Sequence, residues 1–446
     1  MAYIKQLIPA PLLKVLRPLY HGFISRWANV RFGHPSEKLI VIGVTGTNGK
    51  TTTVNLIARI LEEEGLKVGY TSTATLNVDG KEYLNSAKMT MPSGWLLHKW
   101  MARMVRNKCE CAIIEVSSEG LSQNRHAGIH FDIAVFTNLT PEHIEAHGGF
   151  ENYKKAKGLL FTALNGPAKY LRGNKIPKTI VTNADSEHSE FYKSFKAENY
   201  VSYGVKNDAN FKTPGFKNSL RGLEFEIENT HIHLQLKGRF DVYNALCAIA
   251  TASVLGVTPA TCRTALEKVA VVPGRMEIIA EKPFMVLVDY AYEPEEMRQL
   301  YETVTAWPHR RIIQVLGPTG GGRDHSRISV LGKMAAENAE IVIVTTDDPY
   351  DENPQELAQR MAGGATSSGK SMNRDLFIML DRRAAMHKAF SLAAEGDLVL
   401  VTGKGADQKM ALAHGTYADW DDRKVARQEL GFLQMQTKKS ETNHSV

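Results

Sequence analysis

Gly46-Thr47-Asn48-Gly49-Lys50-Thr51-Thr52 stands just after the apolar run Leu39-Ile40-Val41-Ile42 and just before a helical pattern. Strand, glycine loop and helix in that order form the arrangement that cradles a nucleoside triphosphate. Glycines let backbone N–H groups approach phosphate oxygens, and a helix N-terminus favours negative charge. Lys50 would reach the β- and γ-phosphates, and the Thr51 hydroxyl would help hold Mg²⁺. The strict phosphate-loop template asks for glycine at position 44; this chain has Val44 there, with glycines at 43 and 46. The alternative, a glycine turn beside a surface lysine, does not explain the strand and helix on either side.

Other candidates lie where a parallel sheet presents its strand ends. Glu115 closes the run Ala112-Ile113-Ile114 and precedes Ser117-Ser118. Its carboxylate would face the phosphate loop and take Mg²⁺ directly or through water; the competing reading is an acidic strand cap. The segment Phe136-Thr137-Asn138-Leu139-Thr140-Pro141-Glu142-His143 follows, then His147, Tyr153 and Lys157. Taken singly, His143 is a polar residue and Lys157 an exposed helix lysine. Their company decides.

The elements that must position these residues are those of an α/β protein. With 446 residues the chain predicts two or three domains, since single cores seldom grow past roughly 250 to 300 residues. Charged residues make up 23% and hydrophobic ones 43%, the balance of a globular protein, and a net charge of +6 scattered along the chain gives no nucleic-acid footprint. Cys109, Cys111, Cys247 and Cys262 form no metal-binding pattern, sit among apolar neighbours and fit a reducing cytoplasm. Parallel strands are expected at Leu39 to Val44, Ala112 to Val116, Ile133 to Thr137 and Thr179 to Thr182. Residues 200 to 236 alternate apolar and polar, which predicts a few antiparallel strands appended to that sheet. A helix follows from Val242 to Leu255. Val272-Pro273-Gly274-Arg275 marks a domain boundary, beyond which Met285 to Asp289, Arg311 to Leu316, Ile341 to Thr345 and Leu398 to Thr402 form a second alternating series. The expected organisation is thus a short N-terminal helical segment (1–38), a central phosphate-loop domain (39–272), a Rossmann-like C-terminal domain (273–435) and a disordered polar tail (436–446).

Residues 1–38 mix Ile4, Leu7, Ile8, Leu12, Leu13, Leu16 and Leu19 with Lys5, Lys14, Arg17, Arg26 and Arg31, broken by Pro9, Pro11 and Pro18. No run is long enough to span a membrane. A short helix packed on the first domain is the simpler reading; a basic amphipathic segment in which residues 1–30 touch a membrane surface or a partner protein is the other.

Gly46-Thr47-Asn48-Gly49-Lys50-Thr51, Glu115-Val116-Ser117-Ser118, Thr137-Asn138-Leu139, Tyr153 with Ala156-Lys157, Gly238 to Asn244, Gly274-Arg275-Met276-Glu277 and Asp381-Arg382-Arg383 occur in this order. Together they resemble the Mur ligase family, most closely its UDP-N-acetylmuramoyl-tripeptide synthetase (MurE-like) branch, over about residues 39 to 410. The resemblance implies an ATP-dependent ligase that phosphorylates a carboxylate and lets an amino acid's amine displace the phosphate; a monomer in the cytoplasm is the accompanying expectation. It implies that Lys50 and Mg²⁺ bring the two anions together, with Thr51 and Glu115 on one metal ion and His143 on a second. Lys157 aligns with a lysine that is carbamylated in these ligases, which would make it an anionic metal-site ligand. Asn244 and Arg275 match positions holding adenine and phosphates, and Asp289 an acid near the ribose. Thr90, Ser117, Gln123 and Arg125 fall where the family holds its UDP-muramoyl-peptide; a guanidinium suits an anionic acceptor, although Arg125 also reads as a surface arginine.

Three departures matter. Only about 38 residues precede the first strand, where the family carries a domain for the uridine nucleotide. The family's Asp-Asn-Pro-Arg, which selects meso-diaminopimelate, is Asp347-Asp348-Pro349-Tyr350 here, so Tyr350 disfavours that amino acid and Asp348 would suit a cationic side chain. The usual Gly-Lys-Gly-His-Glu reads Gly403-Lys404-Gly405-Ala406-Asp407, with Lys404 near the incoming carboxylate and Asp407 keeping the acid. A folate-type or poly-γ-glutamyl acceptor is the enzymatic alternative, and a non-catalytic ATP-binding scaffold the other class.

Overall fold

The computed structural model describes residues 10–73, 75–85, 89–141, 147–322 and 325–443. The chain divides into two compact units, Met1–Asn218 with Gly222–Gln235 and Phe240–Ala270, and Ser219–Arg221 with Leu236–Arg239 and Val271–Val446.

The first unit is built on a nine-stranded sheet. Its strands are β1 (Ile40–Thr45), β2 (Val68–Thr71), β3 (Thr75–Val78), β4 (Lys81–Leu84), β5 (Cys111–Glu115), β6 (Ile133–Phe136), β9 (Thr179–Asn183), β10 (Asn199–Gly204) and β11 (Phe211–Lys212); β7 (Lys169–Leu171) and β8 (Asn174–Ile176) form a separate hairpin. The order β11-β10-β9-β6-β1-β5-β2-β3-β4 puts β1 in the middle, with β5 and β6 parallel to it on either side. All six residues of β1 are buried, as a strand covered by helices on both faces requires. The order reverses around β1, and ligands of such sheets bind in the crevice at that switch point. The loop Gly46–Gly49 leaves β1 there and enters the helix Lys50–Glu63, which turns Val54, Leu56, Ile57, Ile60 and Leu61 into the core.

The antiparallel extension lies elsewhere than expected. It is β2-β3-β4 at one edge of the sheet. β10 and β11 instead continue the parallel series. The alternating residues beyond them form a separate three-stranded sheet of β12 (Phe216–Ser219), β13 (Gly222–Ile227) and β14 (Thr230–Leu234). Alternation reports one buried face and is silent about which sheet a strand joins.

Within the N-terminal segment expected to be helical, residues Ala10–Arg31 form one 22-residue helix with Pro18 inside it. It packs on the helix Gly94–Arg106: Trp27 stacks on Trp95 with ring centroids 5.0 Å apart, and Phe32 meets the same ring edge-on. Ser25 Oγ donates to the carbonyls of Arg125 at 3.0 Å and Ala127 at 2.7 Å.

The second unit holds a six-stranded sheet, β15-β16-β20-β17-β18-β19, comprising β15 (Glu277–Ala280), β16 (Met285–Asp289), β17 (Ile312–Leu316), β18 (Ile341–Val344), β19 (Leu376–Ile378) and β20 (Leu398–Thr402). Five strands run parallel and only β15 opposes them. Val286, Val288, Ile313, Val315, Ile343, Val399 and Val401 fill its core with Met386 and Phe390. The polar tail expected from Gln436 is helical as far as Asn443, continuing the helix Asp422–Asn443; its Gln, Lys and Glu residues are good helix formers.

One buried cluster pins β1 to its neighbours. Asp132 is fully buried and takes Lys169 Nζ at 2.6 Å, Lys178 Nζ at 2.8 Å and the backbone N–H of Val41 at 2.7 Å. Removing the carboxylate would leave two buried ammonium groups without their counter-charge. Asp132→Ala is expected to destabilise the first unit by about 3–5 kcal/mol, read as a lower midpoint for its transition in urea.

Candidate active site

Backbone geometry at two glycines shapes the phosphate loop. Gly46 has φ 154° and Gly49 φ 80°. A Cβ at Gly46 would lie 1.9 Å from Thr137 Oγ1, and one at Gly49 2.2 Å from Asn244 Oδ1. The loop is also held from the side by the segment after β6. Thr47 N donates to Asn138 O at 2.8 Å, Asn48 N to Asn138 Oδ1 at 2.9 Å, and Asn138 Nδ2 and Thr137 Oγ1 both donate to Asn48 O. Thr47 Oγ1 lies 3.1 Å from Tyr153 Oη. The loop is therefore shaped by protein contacts before any phosphate arrives.

Glu115, the last residue of β5, pairs in register with Val44, one strand from the loop. Its carboxylate is 1 % exposed. Thr51 Oγ1 donates to both of its oxygens at 2.9 and 3.0 Å, and Thr73 donates from N at 2.8 Å and from Oγ1 at 3.0 Å. The carboxylate thus faces the loop, and the strand-cap reading gives way to a buried acid paired with the helix that opens at Lys50. Thr90 Oγ1 lies 3.1 Å from Thr73 Oγ1, within hydrogen-bond distance, drawing Thr90 into the cluster. Thr73 escapes sequence reading, although its place just beyond β2 is the same strand-end signal that Glu115 carries.

Lys50 Nζ donates to Thr47 O at 2.6 Å. Lys157 is no exposed helix lysine: it is 2 % exposed, donates from Nζ to Gly46 O at 2.7 Å and lies 4.4 Å from the Tyr153 ring centroid. Asn244 is buried against Gly49, held by Asp241 through a 2.9 Å bond from Nδ2. Thr52 is buried in the first turn of the helix. Lys50, Thr51, Thr73, Glu115, Lys157 and Asn244 are thus gathered around one loop. His143 lies outside the described residues. Among the described residues no group of three or more His, Cys, Asp or Glu gathers as a metal cage. A hydroxyl and one carboxylate nonetheless suit Mg²⁺, which commonly takes one or two carboxylates and fills its octahedron with phosphate oxygens and water.

Arg125 is not a surface arginine. It is buried, Nη1 donates to Met91 O at 2.7 Å and Nη2 to Gln123 Oε1 at 2.8 Å, while its Nε has no partner among the described residues. Burial pulls its pKa below the ordinary arginine value, with Glu119 opposing. Gln123 is bonded to Glu119 as well as to Arg125. The Ser117 hydroxyl accepts Gly120 N at 3.1 Å and caps the helix Ser118–Ser122.

In the second unit, both Asp289 oxygens accept backbone N–H groups, Met276 at 2.7 Å and Ala291 at 2.7 Å. Burial raises the pKa of this acid against Arg275 and those donors. Asp289 therefore fixes the turn that carries Arg275, whose guanidinium lies 4.7 Å from the Tyr290 ring centroid and 3.9 Å from Glu296. Lys404 Nζ binds Asp348 Oδ1 at 2.9 Å and Asp407 Oδ2 at 2.6 Å, with Asp347 Oδ1 at 3.9 Å. Burial pulls the ammonium's pKa down, but the three aspartates outweigh it and hold it above its ordinary value. Asp348 also accepts Ala411 N at 2.7 Å. Asp348, expected to suit a cationic side chain, and Lys404, expected near the incoming carboxylate, are paired with each other here. Burial raises the Asp347 pKa, and Asp347 Oδ2 stands 2.5 Å from where a Cβ on Gly403 would lie. Tyr350 occupies a left-handed turn with φ 53°. Arg383 is paired with Glu429 at 2.7 Å.

Residues 44–252 match the Mur ligase middle domain and residues 274–405 the Mur ligase glutamate ligase domain. A UDP-N-acetylmuramoyl-L-alanyl-D-glutamate–2,6-diaminopimelate ligase of Geobacillus thermodenitrificans is 35% identical over 405 residues, covering 90% of this chain and 80% of the relative. The chain belongs to the Mur ligase family. A UDP-N-acetylmuramyl-tripeptide synthetase of Roseiflexus sp. is 34% identical over 440 residues, covering 96% and 85%. Among solved structures, a UDP-N-acetylmuramoyl-L-alanyl-D-glutamate–2,6-diaminopimelate ligase superposes with TM-score 0.60 at 25% identity over 93% of this chain and 83% of its own. The folylpolyglutamate synthase of Mycobacterium tuberculosis superposes with TM-score 0.68 at 17% identity, covering 85% and 91%, a likeness of fold. As a Mur ligase the chain is an ATP-dependent, ADP-forming acid–amino-acid ligase.

Gly46→Ala places a methyl group against Thr137 Oγ1 in a backbone conformation that side chains rarely adopt. ATP affinity is expected to fall at least about tenfold, roughly 1.4 kcal/mol, in a calorimetric titration, while the fold of the second unit stays intact by limited proteolysis.

Proposed function

We propose that this ligase joins an amino acid to the carboxylate of a UDP-N-acetylmuramoyl-peptide during synthesis of the peptidoglycan precursor. The observation that carries the reading is the buried Thr51–Glu115 pair beside a phosphate loop whose Gly46 carbonyl is bound by Lys157. The acceptor is drawn from the relatives, which are named for UDP-N-acetylmuramoyl substrates.

The chemistry joins two anions. A carboxylate oxygen of the acceptor attacks the γ-phosphorus, the bond to ADP breaks, and an acyl phosphate forms. The amine of the incoming amino acid then attacks the acyl carbon, phosphate leaves with the bonding pair, and the nitrogen gives up a proton. Lys50, once turned from Thr47 O towards the γ-phosphate, would offset charge as the carboxylate approaches. Thr51 and Glu115 would hold Mg²⁺, which when bound neutralises the β- and γ-phosphate oxygens. In this reading His143, and Lys157 once carbamylated, serve a second metal site. Arg125, whose Nε has no partner among the described residues, would grip an anionic group of the acceptor beside Thr90, Ser117 and Gln123. Asn244 and Arg275 would hold the nucleotide, Asp289 by orienting the Arg275 turn. Asp347, Tyr350 and Gly403 would receive the amino acid, with Asp348 and Asp407 shaping that pocket through Lys404. The reading includes a monomer working in the cytoplasm. Four unpaired, buried cysteines support a reducing compartment, and no helix among the described residues is long and apolar enough to cross a membrane.

Phosphate release should require ATP, a UDP-muramoyl-dipeptide and an amino acid together. Lys50→Ala should abolish it, and Lys157→Ala should lower it sharply and recover in part with a short carboxylic acid that replaces the carbamate. Release that never depends on any acceptor and amino acid would refute the catalytic assignment.

The Tyr350 turn generates a separate expectation about selectivity. Restoring the family's arginine by Tyr350→Arg should raise kcat/KM for meso-diaminopimelate by about tenfold or more, the value of one charge-assisted contact. An unchanged ratio of diaminopimelate to neutral amino acids in a competition assay would place selectivity elsewhere.

A further inference from the structure

The N-terminal helix Ala10–Arg31 is amphipathic in reverse. The face it packs on the first unit carries small or polar residues, Gly22, Ser25, Ala28 and Asn29, all buried. The opposite face carries Leu16, Leu19, Tyr20, Phe23, Trp27 and Val30, all exposed, with Phe23 at 68% and Leu19 at 64%. At 100° per residue these six side chains fall within an arc of about 100°, a continuous stripe some 20 Å long. A stripe of that size on an outer surface marks a contact with something apolar.

The charges say what kind of surface it fits. The helix contains no Asp or Glu and carries Lys14, Arg17, Arg26 and Arg31. Arg17 and Arg31 border the stripe on one side and Arg26 on the other, and all three are exposed. Large apolar and aromatic residues flanked by arginines, on a helix too charged to cross a bilayer, make the pattern of a helix lying in the interface plane. Tyr20 and Trp27 belong to the residue types that settle at headgroup level. The inner face is already held by the Ser25 bonds, and within the stripe Trp27 also rests against Trp95, so the rest of the outer face is presented without any rearrangement.

We propose that this outer face docks the enzyme on the surface of an anionic lipid bilayer, through Leu16, Leu19, Phe23 and Val30 in the acyl boundary and Arg17, Arg26 and Arg31 at the headgroups. The inference is independent of the acceptor and amino acid assigned above. It is tested by sedimenting the full chain with vesicles of phosphatidylcholine alone and of phosphatidylcholine mixed with phosphatidylglycerol, whose negative surface potential attracts basic segments. Binding should be at least about tenfold tighter to the anionic vesicles and weaken as salt rises. Phe23→Asp should reduce it at least about tenfold, as should Arg17→Gln with Arg31→Gln, with thermal midpoint and ATP-dependent phosphate release unchanged. No binding to anionic vesicles at low salt would overturn the proposal. So would a Phe23→Asp variant that binds as well as the parent, which would mean charge alone is at work. A stripe that holds two copies together would show as a dimer in sedimentation velocity that Phe23→Asp dissociates and that ignores vesicles, and this too would overturn it.

Discussion

A carboxylate taken almost wholly out of water must be given donors, and at Glu115 that requirement organises the site. Its two oxygens are met by the Thr51 hydroxyl and by the N–H and hydroxyl of Thr73. Thr51 belongs to the first turn of the phosphate-loop helix, Thr73 to the chain leaving β2, and Thr90 joins through Thr73. Three separate segments are thus referred to one acid at the end of β5. A charge buried this way is costly without such partners and becomes a fixed reference point with them. It also keeps negative charge beside a loop built to receive phosphate.

The same logic runs through the loop itself. Gly46 and Gly49 adopt conformations that other residues avoid, and each leaves room for a neighbour's side chain, Thr137 and Asn244. Asn138 then occupies the N–H and C=O groups of Asn48 with both ends of its amide. The loop's shape is consequently paid for by protein contacts, and a bound phosphate has little ordering left to do. Lys157 completes the frame from below through the Gly46 carbonyl. A buried lysine whose nitrogen lies against the loop backbone acts on the loop whether or not it is later modified.

The parts of this site legible in the sequence are those where chemistry forces a residue type at a strand end. Gly46 to Thr52 and Glu115 are of that kind, and the strands ahead of them announce themselves as short apolar runs. Lys157 and Asn244 became legible only through resemblance, since neither spacing nor periodicity says that a helix lysine points inward. Thr73 stayed hidden because threonine at a strand exit is common and its value depends on a carboxylate about 40 residues away in sequence. Pairing partners were the hardest to read. Asp348 reads as an acid suited to a cationic side chain, and its pairing with Lys404 and Ala411 N through Oδ1 is reported by no local pattern. Arg125 read equally well as a surface residue until its burial and its bonds to Met91 and Gln123 were seen. The strands β12 to β14 showed their alternation clearly and their sheet membership not at all. Local pattern reports which face is buried, whereas ion pairs and sheet order are set by contacts far apart in the chain.

The N-terminal helix shows how one element can serve two environments. Its inner face is held close to the wall that carries Arg125: Ser25 Oγ donates to the Arg125 carbonyl, and a Cβ on Gly94 would stand 2.2 Å from that same Oγ. Large side chains on the inner face would force the helix away, so small residues belong there and the bulky ones are displaced outward. An ordinary surface helix would place polar residues on the side left over; this one places Phe23 and Val30 there instead, which costs solubility unless something covers them. The two faces are physically separable. Truncating the helix would strip Ser25 from the Arg125 turn and disturb that turn, so a loss of activity after truncation would say nothing about the outer face. A charge at position 23 leaves Gly22, Ser25, Ala28 and Asn29 in place and acts on the outer face alone.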